Sequence, residues 1–135
     1  MSFLALWLIT LVIFLAVDAV MLTRVMKPLF DRHVGPLMAP EPRLGVAAAF
    51  YVFYVAVLIW FAGAPALAGG SLAVAARDGA ILGLFAYGTY EFVNMSTLKG
   101  WSWRMVAADT AWGAVLSGGS TVAGVAVARA LGLGA

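Results

Sequence analysis

The sequence predicts an all-α, polytopic membrane protein: a bundle of four transmembrane helices with a cytoplasmic interfacial loop between the first two. Three observations predict it. Hydrophobic residues make up 64% of the 135-residue chain and charged ones 10%, with a mean hydropathy of +1.03, a composition well outside that of water-soluble domains. Apolar stretches recur at the length of a bilayer crossing, about 20 residues each, so the chain has room for roughly four crossings in one domain and none for a soluble catalytic unit. Six of the eight basic residues fall in the first and third connections, as charge sorting across a membrane requires.

The first span, residues 2–22 (SFLALWLITLVIFLAVDAVML), is interrupted only by Thr10 and Asp18. It lacks the basic start of a cleaved signal peptide, and its apolar core exceeds the roughly 7–15 residues such a peptide carries, so it is expected to remain in the membrane. Residues 23–43 hold four basic residues and four of the five prolines, interleaved with Leu29, Phe30, Leu37 and Met38. That mixture suits a loop in the headgroup region, with a short amphipathic helix before the prolines. The second span, 44–62, has no ionisable side chain except its tyrosines, and residues 65–76 read as a small, Gly-rich connection closed by Arg77 and Asp78. The third span covers 79–98, the turn KGWSWR follows, and the fourth span covers 105–130. Gly79/Gly83 and Gly113/Ser117, small residues four apart, predict that the last two spans pack closely. Trp101 and Trp103, beside Lys99 and Arg104, read as interfacial anchors, and Trp7 and Trp60 as residues of the opposite interface.

Several function classes are excluded. Without cysteine there is no disulfide, thiolate nucleophile, iron–sulfur cluster or cysteine-based zinc site. His33 is the sole histidine, so a transition-metal site is not expected, while a hard cation held by carboxylates stays open; no cofactor is expected. Eight basic against six acidic residues form no dense basic face, which argues against nucleic acid as a partner.

A charge inside a span costs at least about 2.5–3.5 kcal/mol at the bilayer centre. Asp18, Glu91 and Asp109 carry such charges, and at 1.5 Å of rise per residue all three lie within roughly 6–11 Å of the same, cytoplasmic, boundary. Tyr87, Tyr90, Glu91 and Asn94 follow i, i+3, i+4, i+7 spacing and form one stripe expected to face the bundle interior, while Asp109 and Trp112 share a face of the last span. Asp18, Tyr87, Tyr90, Glu91, Asn94, Asp109 and Trp112 are therefore the candidate ligand-binding residues. A plainer alternative pairs the carboxylates with Arg24, Lys27, Lys99 or Arg104, or has Asp109 merely complement a helix dipole, and leaves them a structural role.

Taken in order, FLAVDAVML, HVGPLM, AAAFYVFYVAVL, GAILGLFAYGTYEFVNMSTLKGW and DTAWG resemble, over nearly the whole chain, a family of bacterial predicted membrane proteins known as domain of unknown function 2177. The likeness falls on Asp18, on Phe50, Tyr51 and Tyr54, on Tyr87, Tyr90, Asn94 and Trp101, and on Asp109, Trp112 and Gly113. Two positions depart from the family pattern: Glu91 replaces a frequent Asp and keeps the charge, and Met21 lies where a Trp is common nearby. The resemblance implies a four-helix architecture, no established activity, and a leaning toward membrane-lipid chemistry.

Three functions stand open at this point. The first is binding or transport of a cation, a small amine or a polar solute through a cytoplasmic-side carboxylate pocket. The second is a structural or accessory subunit of a lipid-modifying or electron-transfer complex. The third is a membrane-lipid-modifying enzyme with Glu91 or Asp109 as general base, although the sequence offers no nucleophile, metal motif or cofactor fingerprint and assigns no catalytic residue. The expected location is the bacterial inner membrane, with both termini outside the cytoplasm. The lipid bilayer is the expected partner, joined by a second copy or a membrane complex if four spans are too few to enclose a solute.

Overall fold

The computed structural model describes residues 2–134, and among them every regular element is helical. These are α1 (Ser2–Met21), α2 (Lys27–Val34), α3 (Leu44–Leu58), α4 (Ala64–Leu67), α5 (Leu72–Thr97) and α6 (Trp103–Ala130). A π-helical turn at Leu22–Met26 joins α1 to α2 without a break, a 3-10 turn at Gly35–Leu37 extends α2, and a second π turn at Ile59–Gly63 joins α3 to α4. The chain therefore folds into four long rods. Three of them, Ser2–Leu37, Leu44–Leu67 and Trp103–Ala130, are long and apolar enough to cross a membrane. The fourth, α5, is also long enough at 26 residues, but Arg77, Asp78, Glu91 and Asn94 interrupt its apolar run.

Two departures from the sequence reading each involve a proline. Much of the loop expected at 23–43 is helix, and the connection expected at 65–76 shrinks to four residues, because Ala64–Leu67 is helical and α5 begins at Leu72 with Ser71 as its cap. The Ser71 hydroxyl accepts from the Ala73 and Val74 N–H groups at 3.1 and 3.3 Å. Each π turn ends just before a proline: the Lys27 N–H donates to the Leu22 carbonyl ahead of Pro28, and the Ala64 N–H to the Ile59 carbonyl ahead of Pro65. A proline inside an α-helix lacks an N–H and collides with the carbonyl four residues back. The wider turn moves that carbonyl aside, so both helices run through their prolines instead of stopping.

Burial follows the helical period. Leu6, Thr10, Phe14 and Asp18 form the inward stripe of α1, Tyr54, Val55 and Leu58 that of α3, and Leu116, Ser117, Thr121 and Val125 belong to that of α6. Outward, Val12 (65% exposed), Phe53 (72%), Phe85 (68%) and Val115 (64%) form the apolar coat that lipid tails require.

The closest packing joins α5 to α6. A Cβ on Gly83 would overlap the Gly113 carbonyl oxygen and the Ser117 hydroxyl, and one on Gly113 would enter the ring of Tyr87. Further along α6, Gly124 receives Thr10 of α1. Glycine is required here because a Cβ has no room: Gly83 meets the α6 backbone, and Gly113 and Gly124 each receive a side chain. At one end of the bundle the Arg129 guanidinium donates to the Ala66 and Gly70 carbonyls. At the other, Gly100 in the turn between α5 and α6 lies against His33 and Val34. Arg24, Lys27, Arg32, Arg43, Lys99 and Arg104 consequently sit at this second end, and Arg77 and Arg129 at the first.

Gly83→Val is expected to destabilise the bundle by about 1–3 kcal/mol through overpacking, read as a lower melting temperature in detergent. Gly119, which has nothing within 4 Å of its Cβ position, should accept Ala with no comparable loss. Equal behaviour of the two variants would show that the α5–α6 contact does not limit stability.

Candidate functional site

At the basic end a cleft of about 720 Å³ opens between the end of α1, α2, the segment before α3, the first turns of α3, and the facing turns of α5 and α6. Its wall is mostly apolar, with Met26, Phe30 and Phe50 prominent. Asp18 from α1 and Asp109 from α6 reach it, together with Tyr51, Tyr87 and Tyr90.

Asp18 ends the buried stripe of α1 and is 9% exposed. It accepts a hydrogen bond from the Trp112 indole N–H at 3.0 Å, and the Tyr51 side chain lies beside it. Asp109 follows the start of α6, which the Ser102 hydroxyl caps by accepting from the Met105 N–H at 3.3 Å. Glu91 is fully buried and is not part of the cleft wall. One of its oxygens, Oε1, accepts from the Trp101 indole N–H at 2.9 Å, while Oε2 has no hydrogen-bond partner among the described residues. The carboxyl of Asp109 is its neighbour from across the α5–α6 seam. The Tyr87 hydroxyl is likewise buried and unpartnered.

Among the described residues no basic side chain is paired with these carboxyls. The ion pairs among the described residues, Lys27–Asp31 at 2.7 Å and Arg77–Asp78 at 2.9 Å, are on the surface and contribute little. The alternative pairing of Asp18, Glu91 or Asp109 with Arg24, Lys27, Lys99 or Arg104 is not seen among the described residues. Among the described residues no three His, Asp or Glu side chains gather at metal-binding distance.

The residues singled out from sequence thus divide. Asp18, Tyr87, Tyr90 and Asp109 meet at the cleft, Glu91 lies behind it, and Trp112 holds Asp18. Asn94 is half-buried and does not line the cleft. The polar stripe of α5 does not point wholly inward either, since Tyr90 is 53% exposed. Trp101 is not a free interfacial anchor: it packs edge-on against Phe30 (5.4 Å between centroids) and Tyr90 (5.8 Å) and spends its N–H on Glu91. Trp103 is 63% exposed at this end and Trp60 64% exposed at the other. Trp7 instead ties α1 to α3 through the Val52 carbonyl at 3.0 Å. Periodicity does not single out Tyr51 or Phe50, because α3 is apolar or aromatic on every face, and the family resemblance is the sequence signal that marks them.

These features define an integral membrane protein of the all-helical, polytopic class, with carboxyl groups buried at one end of its bundle. The chain belongs to the family described as Predicted membrane protein (DUF2177), whose model matches residues 3–126. No curated protein and no solved structure matches it.

Trp112→Phe removes the one N–H that Asp18 accepts from an indole and is expected to cost about 1–3 kcal/mol, the loss of a buried acceptor's partner. In a double-mutant cycle with Asp18→Asn, unfolding in detergent should give a coupling energy of about 0.5–3 kcal/mol. Strict additivity would mean that the hydrogen bond does not stabilise the α1–α6 contact.

Proposed function

We propose that the chain binds a small organic cation, an amine or quaternary ion with an apolar body, in the cleft at the basic end. One observation carries the reading: Asp18 and Asp109 face an aromatic-walled space of about 720 Å³, and neither has an ion-pair partner among the described residues. A carboxylate withdrawn from water has to be offset by a cation or neutralised by a proton. Lys27 lines the same cleft but is engaged with Asp31. The rings of Phe30, Phe50, Tyr51 and Tyr90 offer an apolar cation both contact area and the attraction of their quadrupoles. The volume lies within the usual range for small-ligand sites.

The orientation belongs to the same proposal. Six basic residues at the cleft end against two at the other support a cytoplasmic cleft, both termini outside, and a bacterial inner membrane as the location. A cleft on that side would capture its ligand from the cytoplasm or the inner leaflet, the binding step that a transporter needs.

Tetraphenylphosphonium is a suitable probe. It should raise the melting temperature of the detergent-solubilised protein as its concentration rises, by the equivalent of about 2.7 kcal/mol at one hundred times the dissociation constant. Asp18→Asn and Asp109→Asn should each weaken the affinity by about tenfold or more, the equivalent of 1.4 kcal/mol or above. Equal stabilisation of the wild type and both variants would remove the cleft as the site, and no stabilisation of the wild type would sink the cation reading.

The cysteine-free sequence allows a clean topology measurement. In intact cells a membrane-impermeant maleimide should label Ala68→Cys, in the exposed turn after α4, and spare Ala39→Cys, at the cleft end, until the membrane is opened. The reverse pattern would invert the proposed orientation.

A further inference from the structure

Resting on the cation-binding reading, we propose that Glu91 and Asp109 hold one proton between them and that a cation arriving at Asp109 displaces it, so that the site exchanges cation for proton. Glu91 is 0% exposed, its Oε1 is occupied by the Trp101 N–H, and its Oε2 is buried without a partner. The adjacent group from α6 is the Asp109 carboxyl, which does reach the cleft. Two ionised carboxylates side by side in a low-dielectric site repel each other, and a buried oxygen left without a partner carries a further desolvation cost. A single shared proton relieves both: it removes one charge and gives the pair the hydrogen bond that Glu91 Oε2 lacks.

The surroundings favour a proton over a basic side chain in that role. Asp109 faces Glu91 from α6, Trp101 from the turn, and Tyr90 from α5 itself. Asp109 in turn faces Asp18 of α1 and Tyr51 of α3. From α2, Lys27 is the charged group on the cleft wall, and its ammonium is 2.7 Å from Asp31. Glu91 is therefore a store that communicates with the cleft through Asp109.

The exchange balances. With the cleft empty, the pair carries one proton and one negative charge. When a monovalent cation seats against Asp109, the proton passes to water in the cleft, the pair carries two negative charges, and the bound cation restores the same net charge. No covalent bond other than O–H is broken or formed. Because binding favours the deprotonated pair, affinity must rise with pH.

Tetraphenylphosphonium also tests this, since it has no titratable group and any pH dependence belongs to the protein. For the wild type the affinity should rise by up to about tenfold per pH unit over the range in which the pair loses its proton. Infrared spectroscopy of the solubilised protein should show the band of a protonated carboxyl, which fades on saturation with the probe. Glu91→Gln should lack this band and bind with an affinity that no longer depends on pH. Affinity flat with pH in the wild type, or a carboxyl band unchanged at saturation, would overturn the exchange while leaving the Asp109-dependent cation site standing. Absence of the band from the empty wild type would do the same. Failure of the probe to bind at any pH removes the cation reading and the exchange with it. Both wild-type readouts stand even if Glu91→Gln does not fold.

Discussion

The geometry of the basic end depends on how closely α5 and α6 approach. In lipid no hydrophobic force draws helices together, so the contact must come from van der Waals fit and polar groups, and that requires backbones without intervening side chains. Gly83 and Gly113 supply it. Because Gly113 leaves room for the Tyr87 ring, the two helices keep a register in which Glu91, one turn beyond Tyr87, lies level with Asp109, one turn before Gly113. The tight turn between them, with Gly100 at a φ of +83°, is short enough for Trp101 to fold back onto Glu91. Gly124 performs the same service for α1: it admits Thr10 and so brings Asp18, two turns further along the same stripe, to Trp112.

Much of this was legible in the sequence because membranes impose simple rules. Four apolar stretches of bilayer length and the basic residues sorted into alternate connections define the helices and the two ends of the bundle. The cost of an intramembrane charge picks out Asp18, Glu91 and Asp109 before any contact is known. The small residues at 79, 83, 113 and 117 mark the seam. What escaped is what the rules treat as punctuation. Pro28 and Pro65 read as parts of connections, whereas a one-residue change in hydrogen-bond register lets helices pass through them, and periodicity carries no trace of such a turn. Trp101 reads as a membrane anchor because indoles collect at interfaces, but an indole N–H is also one of the few neutral donors able to reach a buried carboxyl. Which of the two roles it takes is decided by the fold of the turn, not by the residues beside it. Tyr51 lies in a helix with no polar face and acquires significance only once α1 and α5 stand next to it.

Two of the three membrane carboxyls take their hydrogen bond from a tryptophan rather than from a lysine or arginine, and this has an electrostatic consequence of its own. An indole N–H contributes a dipole, which satisfies a lone pair at close range and whose field then dies away steeply. A guanidinium or ammonium would contribute an opposing monopole and cancel the carboxylate at all distances. Whenever Asp18 carries its charge, its field is therefore left largely uncancelled, and low-dielectric walls focus such a field along the cleft. The basic residues ringing this end of the bundle set up the opposite potential outside. A mobile positive ion approaching this end would meet repulsion at the rim before the attraction of the cleft.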